Sequence, residues 1–312
     1  MSAPRDPQPG DAGVEATGER LVPERQHGEL VHAEHLVRYR LAAQLAHSRR
    51  VLDAACGEGY GTAMLAAAEA SEAVGVDVDE PTIAHAAKRY PGASFSVGDL
   101  TALPFGDGRF DLVVSFETIE HVKEPERALD ELRRVLADDG VLLISTPNKH
   151  RYLVENEFHE REFTHEEFVE LLSARFPVVE LLLQHNWNAS LILPPDVAGD
   201  ADGERAHALE LRKTAGIAPG EELYTLALCT GSGKVPQLNA LGVAATVDEA
   251  HELAARLRAA EVTAASWHDE WQKAKAIAEH WNDEYWATRN SVWWRITAPL
   301  RRVGELVRRR RG

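Results

Sequence analysis

Length, composition and charge already exclude several classes of protein. The chain has 312 residues, 44% of them hydrophobic and 27% charged, which is typical of a globular protein with enough apolar content for a core. No apolar run approaches the roughly 18 residues that a membrane span needs. Two cysteines do not make a disulfide framework, and the formal charge of −16 argues against a protein that coats nucleic acid. We therefore expect a cytoplasmic protein of about two domains.

Composition and periodicity divide the chain into five parts. Residues 1–18 are rich in Pro, Gly and acidic residues and are expected to be disordered. Residues 19–48 are expected to form an N-terminal lid and a helix, and residues 49–235 alternate strand and helix patterns. Residues 246–290 are predicted to form one long heptad helix, and residues 291–312 are a basic tail rich in Trp and Arg.

The alternating region contains seven predicted strands separated by helices. The strands are Arg50–Ala55, Ala73–Asp77, Ser94–Val97, Phe110–Phe116, Val141–Ser145, Val178–Leu183 and Leu223–Cys229. The helices include Gly59–Glu69, Pro81–Tyr90, Pro125–Leu136, which is closed by Asp138–Gly140, and one that begins at Thr164 with Glu167 in a capping box. Alternation of this kind predicts an α/β fold with a doubly wound, mostly parallel sheet and helices on both faces.

Acidic residues stand at the ends of three successive predicted strands. Asp53 precedes a glycine-rich turn that contains Gly57 and Gly59, Asp77 ends the second strand, and Asp99 follows the third. Ligands of such sheets bind outside the carboxyl ends of the strands, where Asp77 could accept from ribose hydroxyls and Asp99 from an adenine amino group. Three acids without a basic phosphate ligand favour a cationic, nucleoside-like ligand over a pyrophosphate. The alternative is that Asp77 only caps the next helix.

Residues from about 50 to 146 resemble class I S-adenosylmethionine-dependent methyltransferases. The motifs DAACGEG, GVDVD, GDL and FDLVVSFETIEHV match that family in order and spacing. The resemblance implies a Rossmann-like, seven-stranded sheet and S-adenosylmethionine as the cofactor. It implies the cofactor-binding residues Asp53, Ala55, Gly57, Gly59, Asp77, Val78, Asp99, Leu100 and Phe116. Arg38 resembles an arginine that binds the cofactor carboxylate in related O-methyltransferases, and the alternative is an ordinary exposed helix arginine.

A second group of polar residues follows the fourth predicted strand. Glu117, Glu120 and His121 have the spacing i, i+3, i+4, so they share one face if the backbone there is helical. Together with His159 they are candidate ligands of a hard divalent cation such as Mg²⁺. The arrangement resembles magnesium-dependent ubiquinone-pathway O-methyltransferases, and also methyltransferases that act on the 3′-terminal 2′-hydroxyl of small RNAs. Without a metal, His121 would be either a general base or a hydrogen-bond partner of the substrate, and His121 and Glu117 are the predicted catalytic residues.

Further motifs point towards the acceptor. The segments TGERLVP (17–23), EHLVRY (34–39), STPNK (145–149) and ENEFHEREF (155–163) resemble methyltransferases of bacterial surface-polysaccharide gene clusters. This resemblance covers about residues 17–187 and implies an O-methyltransferase that acts on a hydroxyl of a saccharide or glycan intermediate. The candidate substrate residues are Tyr152, His159 and His185.

The C-terminal part has a different character. Apolar residues recur in alternating steps of three and four from Ala250 to Tyr285, which predicts either a coiled coil, most simply a homodimer, or a helix packed on its own domain. Residues 293–312 contain seven Arg and one Glu beside two Trp, which suits peripheral contact with an anionic membrane at its inner face. A disordered basic tail is the alternative. If the cofactor does not bind, the heptad helix would instead be the working part of a non-catalytic interaction protein.

Overall fold

The fold was examined in a computed structural model of the chain. The structure describes residues 30–152, 156, 158–187, 191–195, 215–231, 234–243, 248–291 and 295–302. The segment predicted to be disordered (1–18), the first part of the predicted lid (19–29) and most of the basic tail lie outside the described residues.

A seven-stranded sheet forms the centre of the fold. Its strands are β1 (Arg50–Ala54), β2 (Glu72–Asp77), β3 (Ser94–Val97), β4 (Phe110–Ser115), β5 (Leu136–Pro147), β6 (Val178–Gln184) and β7 (Tyr224–Thr230). They lie in the order β3-β2-β1-β4-β5-β7-β6. Strand β7 runs antiparallel to both of its neighbours, and the pairs from β3 to β5 are parallel. The predicted doubly wound, mostly parallel sheet is therefore confirmed.

The described ranges also contain six principal α-helices and one short 3₁₀ helix. They are α1 (Leu30–Ala46), α2 (Tyr60–Ala67), α3 (Glu80–Arg89), the 3₁₀ helix (Ile119–His121), α4 (Pro125–Val135), α5 (His165–Ser173) and α6 (Asp248–Asn290). The predicted capping box of α5 is confirmed, because the Thr164 hydroxyl accepts from the Glu167 amide while the Glu167 carboxylate accepts from the Thr164 amide.

The apolar core lies in two layers, one on each face of the sheet. Successive strand residues point to opposite faces, so Leu112 and Val113 of β4 belong to different layers. One layer packs against α1 and α2 through residues such as Leu65, and the other packs against α4 and α5 through residues such as Leu132 and Phe168. Burial on both faces explains why these strands read as continuous apolar runs.

Strand β5 differs from its prediction. It begins at Leu136, where it pairs with Phe110 across an irregularity in the β4 register, and not at Val141. Consequently, Asp138–Gly140 belong to the strand and do not close α4, which ends at Val135. The pairing partner lies 26 positions away in sequence, so the local pattern could not reveal it.

The chain divides into two compact units, residues 1–246 and 247–312. The first holds the sheet with α1 to α5, and the second holds α6, a helix of 43 residues. In the described ranges, no helix combines the length and the apolar character that a membrane crossing requires.

Candidate active site

The turn after β1 has a backbone that favours glycine. Gly57 and Gly59 both have positive φ angles, of 50° and 80°, and Ala55 before them has a φ of 66°. A Cβ atom on Gly59 would lie 2.6 Å from the Phe95 ring and 2.7 Å from the Ala86 methyl group. This glycine is therefore required both by its left-handed conformation and by the close packing of α3 and β3 around the turn.

The carboxylate of Asp77 is held at the end of β2 by two backbone groups. Its Oδ2 accepts from the Gly57 amide and its Oδ1 from the Asp79 amide, both at 3.0 Å. It does not cap α3, because that cap is Asp79, which accepts from the Thr82 amide. The alternative role of Asp77 as a helix cap is thus wrong. A carboxylate can accept about four hydrogen bonds, so this oriented group fits the ribose hydroxyls of the implied cofactor.

The side chain of Asp53 is buried and not exposed at the surface. It is 1% exposed and accepts hydrogen bonds from the Tyr39 hydroxyl at 3.2 Å and the Thr62 hydroxyl at 2.7 Å. Burial raises its pKa to about 7, against the lowering effect of these two bonds. Asp53 therefore links α1 and α2 to β1, and its direct contact with the cofactor stays a prediction.

Three predicted cofactor residues follow β2 and β3. Val78 is exposed, whereas the Leu100 side chain is buried. The Asp99 carboxylate accepts from the amide and the hydroxyl of Thr101, both at 2.7 Å, and these bonds lower its pKa. Phe116, after β4, is buried and packs edge-to-face on Tyr39 with ring centroids 5.1 Å apart. An apolar surface beside an oriented carboxylate suits an adenine ring.

Arg38 of α1 is buried, with 1% of its surface exposed. Its Nη1 donates to Oε1 of Gln184 at 2.9 Å and lies 3.6 Å from Oε1 of Glu117, and the guanidinium stacks 4.7 Å from the Tyr224 ring centre. The alternative of an ordinary exposed arginine is therefore wrong. Its Nε and Nη2 are buried, and the described residues give them no acceptor. Unsatisfied guanidinium donors fit a planar carboxylate, such as that of S-adenosylmethionine.

Glu117 does not share a helical face with Glu120 and His121. The 3₁₀ helix begins only at Ile119, and Glu117 itself has a φ of 49°. Ser145 of β5 stabilises this conformation, because its hydroxyl accepts from the Glu117 amide at 3.2 Å and donates to the carboxylate at 2.5 Å. Burial raises the pKa of Glu117, while the charge of Arg38 lowers it. Glu117 thus lies beside Arg38 and is not part of the group of possible metal ligands that the other three residues form.

Glu120, His121 and His159 do come together, with one ligand atom of each lying within 4.8 Å of the others. Oε2 of Glu120 accepts from the Thr146 hydroxyl at 3.0 Å, but its buried Oε1 has no hydrogen-bond partner among the described residues. Burial, and then the charge of Glu117, raise the pKa of Glu120 well above its usual range. The rings of His121 and His159 pack edge-to-face at 4.8 Å.

This donor set fits Mg²⁺ poorly. One carboxylate and two imidazoles remain after Glu117 is removed from the predicted four ligands, and Mg²⁺ prefers oxygen ligands. Imidazole-rich sets suit transition metals such as Fe²⁺, Ni²⁺ or Zn²⁺ better.

The candidate substrate residues lie in two places. Tyr152 and His159 line one cleft, whose remaining walls are Glu120, Pro147, Lys149 and Glu162. His185 is not among the residues of this cleft. Its ring lies 5.9 Å from that of Trp187, and its buried Nδ1 has no hydrogen-bond partner among the described residues.

Several residues that complete the site were not identified as site residues from the sequence. Gln184 and Tyr224 both contact Arg38, and Glu34 accepts from the Tyr224 hydroxyl at 2.7 Å. Gln184 is the polar last residue of the apolar strand β6. The expectation that polar residues at the ends of strands belong to the ligand site identified Asp77, and it would also have identified Gln184. Tyr224 begins the antiparallel strand β7, whose start lies at the same edge as the ends of the parallel strands.

Known proteins are similar to this chain in sequence and fold. Residues 52–144 match the family model of the methyltransferase domain. A probable S-adenosylmethionine-dependent methyltransferase of Mycolicibacterium smegmatis is 40% identical over 172 residues, which are 53% of this chain and 66% of that protein. One of Mycobacterium tuberculosis is 38% identical over 161 residues, 50% of this chain and 58% of its own length. The chain thus spans about three fifths of the length of these relatives.

A solved structure supports the fold. The crystal structure of an S-adenosylmethionine-dependent methyltransferase from Thermotoga maritima matches with a TM-score of 0.50 and 23% identity, over 69% of this chain and 97% of that one. At this identity the match shows the fold, while the family model and the mycobacterial relatives show the class. Residues 52–144 therefore form a methyltransferase domain of the S-adenosylmethionine-dependent class.

Proposed function

We propose that this protein is an S-adenosylmethionine-dependent O-methyltransferase that acts on a hydroxyl group of a saccharide or glycan intermediate. The observation that carries the proposal is the orientation of the His121 ring, which packs against His159, a residue of the cleft. Nδ1 of His121 lies 3.0 Å from the carbonyl oxygen of Phe158. A carbonyl oxygen can only accept, so Nδ1 carries a proton, and in the neutral form of the ring Nε2 then carries the lone pair.

This orientation suits a general base. Nε2 of His121 would accept the proton of the acceptor hydroxyl, and the Phe158 carbonyl would stabilise the positive charge that then forms on the ring. On the cofactor side, Arg38 would bind the carboxylate of S-adenosylmethionine and Asp77 would bind its ribose hydroxyls. When bound, S-adenosylmethionine supplies an electrophilic methyl group.

The chemistry of the cleft supports a hydroxyl-rich acceptor. The side chains that line it include the ammonium of Lys149, the phenol of Tyr152 and the carboxylate of Glu162, with Pro147 as the one purely apolar residue among those described. These three groups could form hydrogen bonds with hydroxyl groups of a sugar.

The test is methyl transfer from isotopically labelled S-adenosylmethionine to a panel of nucleoside-diphosphate sugars and oligosaccharides. We expect label on a sugar oxygen, and we expect His121→Ala to lower kcat by about a hundredfold or more with unchanged cofactor affinity. His47→Ala, at an exposed position near the end of α1, is the matched control. Full activity of the His121 variant, or label on nitrogen only, would contradict the proposal.

A second candidate is metal-assisted transfer, which is specifically favoured by the buried Oε1 of Glu120, for which the described residues provide no partner. A divalent transition-metal ion bound by Glu120, His121 and His159 would satisfy this oxygen, orient the acceptor hydroxyl and lower its pKa. Calorimetric titration with Zn²⁺ and Mg²⁺ separates the two candidates. Binding of Zn²⁺ that disappears in His159→Ala but persists in His150→Ala, at an exposed position, supports the metal; absence of binding and activity unaffected by EDTA exclude it.

A further inference from the structure

Helix α6 carries a row of exposed aromatic side chains. Trp267, Trp271, Trp281 and Tyr285 expose between 52% and 73% of their surface. With the exposed residues Ala274 and Ala278 between them, they form a row in which each step is three or four residues. We call these six residues the aromatic seam. Proteins rarely leave a contiguous apolar surface of this kind in water.

The spacing of the aromatic seam identifies the kind of surface that would cover it. Steps of three and four repeat every seven residues, which places all six side chains along one stripe that another helix of the same repeat can pack against. In the described part of the helix, Trp286 is the one tryptophan outside this stripe, one position after Tyr285. A second copy of α6 presents the same stripe.

Charges beside the aromatic seam indicate how two copies would be oriented. Glu270 and Glu284 precede seam positions by one residue, and Lys275 and Arg289 stand five residues after each of these acids. In a parallel, in-register coiled coil, the residue that directly precedes such a seam position on one helix lies opposite the residue five positions later on the other helix. Each Glu would therefore face a basic residue of the other copy. In an antiparallel pair, the acids would face acids and the bases would face bases.

We propose that α6 forms a parallel, in-register, two-stranded coiled coil with α6 of a second copy of this chain. Within one helix, the same charges make only exposed contacts, such as that of Lys273 with Glu270 at 3.3 Å and that of Lys275 with Glu279 at 4.0 Å, which stabilise little. Dimerisation buries the aromatic seam and gives Glu270 and Glu284 basic partners on the other copy.

The first test is the mass of the full-length protein in sedimentation equilibrium, where we expect twice the chain mass of 34.4 kDa. Trp281→Ala, within the aromatic seam, should raise the dissociation constant about thirtyfold or more, the usual effect of removing a central aromatic anchor. Trp286→Ala, the same change outside the seam, should leave it unchanged. Alanine maintains the helix, which circular dichroism checks. A monomeric protein, or equal effects of the two variants, would overturn the proposal.

The second test concerns orientation. Cys56 and Cys229 are buried, so a cysteine introduced on α6 reports on the helix alone. In a parallel, in-register dimer, Ala274→Cys lies opposite itself and should form a disulfide-linked dimer under mild oxidation, whereas Ala276→Cys on the outer side should not. A dimer in which Ala274→Cys stays reduced, or in which both variants link equally, would exclude this register.

Discussion

The polar side chains in the two halves of the carboxyl edge of the sheet differ in how fully the protein satisfies their hydrogen bonds. At the ends of β1 to β3, Asp53, Asp77 and Asp99 each accept two hydrogen bonds from the protein itself. On the other half, Arg38 and Glu120 keep buried polar atoms for which the described residues provide no partner. The first half is therefore preorganised, and because an unsatisfied buried polar group is costly, we expect a ligand to complete the second half.

The largest expected effect tests the preorganised half through Asp53. Its pKa is about 7 in the folded protein against an ordinary 3.8, because burial disfavours the charge. Between these values the folded protein holds a proton that the unfolded chain has lost, so the free energy of unfolding falls as the pH rises and stays lower above pH 7. We expect Asp53→Asn to remove this loss, which is on the order of 4 kcal/mol.

Urea unfolding of the protein without cofactor at pH 5 and pH 8 measures about 3 kcal/mol of this loss, because the remainder already occurs below pH 5. Wild type should lose stability relative to Asp53→Asn between the two pH values, whereas Asp139→Asn, at an exposed position early in β5, should follow wild type. Parallel pH profiles of wild type and the Asp53 variant would show that the buried carboxyl does not titrate in this range.

A substitution of Asp77 tests whether its preorganised carboxylate binds the cofactor. Asp77→Ala removes the acceptor of the Gly57 amide and the oriented carboxylate together. Loss of hydrogen bonds to a charged group predicts about 3 kcal/mol of weaker binding, which is about a hundredfold in the Kd for S-adenosylmethionine by calorimetry. Asp139→Ala serves as the control. An unchanged Kd would remove Asp77 from the cofactor site.

A substitution of Arg38 tests whether the second half of the edge binds the carboxylate of the cofactor. Arg38→Met keeps most of the side-chain volume but removes the donors that have no partner in the described residues. We expect the Kd for S-adenosylmethionine to rise about thirtyfold, equivalent to about 2 kcal/mol, while binding of decarboxylated S-adenosylmethionine stays nearly unchanged. Arg40→Met on the same helix is the control. Equal losses for both ligands would mean that Arg38 does not recognise the carboxylate.

The preorganised half was the more predictable one from sequence. Its motifs are local: the glycine turn lies within a few positions of Asp53, and Asp77 ends its own strand, so one rule about strand ends finds both. The structure places the Asp77 carboxylate on the Gly57 amide as a consequence of neighbouring parallel strands.

The second half depends on contacts between distant segments. Glu117 leaves the helical conformation because Ser145, 28 positions later, binds both its amide and its carboxylate. Arg38 is buried because Gln184, 146 positions later, accepts from it. No local pattern shows such pairs, so the four-ligand metal set predicted from spacing was reduced to three residues in the structure.

The smallest expected effect is that of a substitution at Asp99, which we expect to contribute less to ligand binding than Asp77 does. Asp99 is the more exposed of the two, and water can replace part of what its carboxylate provides. We expect Asp99→Ala to raise the Kd for S-adenosylhomocysteine about fivefold, near 1 kcal/mol, because one hydrogen bond from the adenine amino group is lost. S-inosylhomocysteine has an oxygen in place of that amino group, so the variant should bind it no more weakly than wild type does. If the variant instead weakens both ligands equally, Asp99 acts by holding the Thr101 turn and not by reading the base.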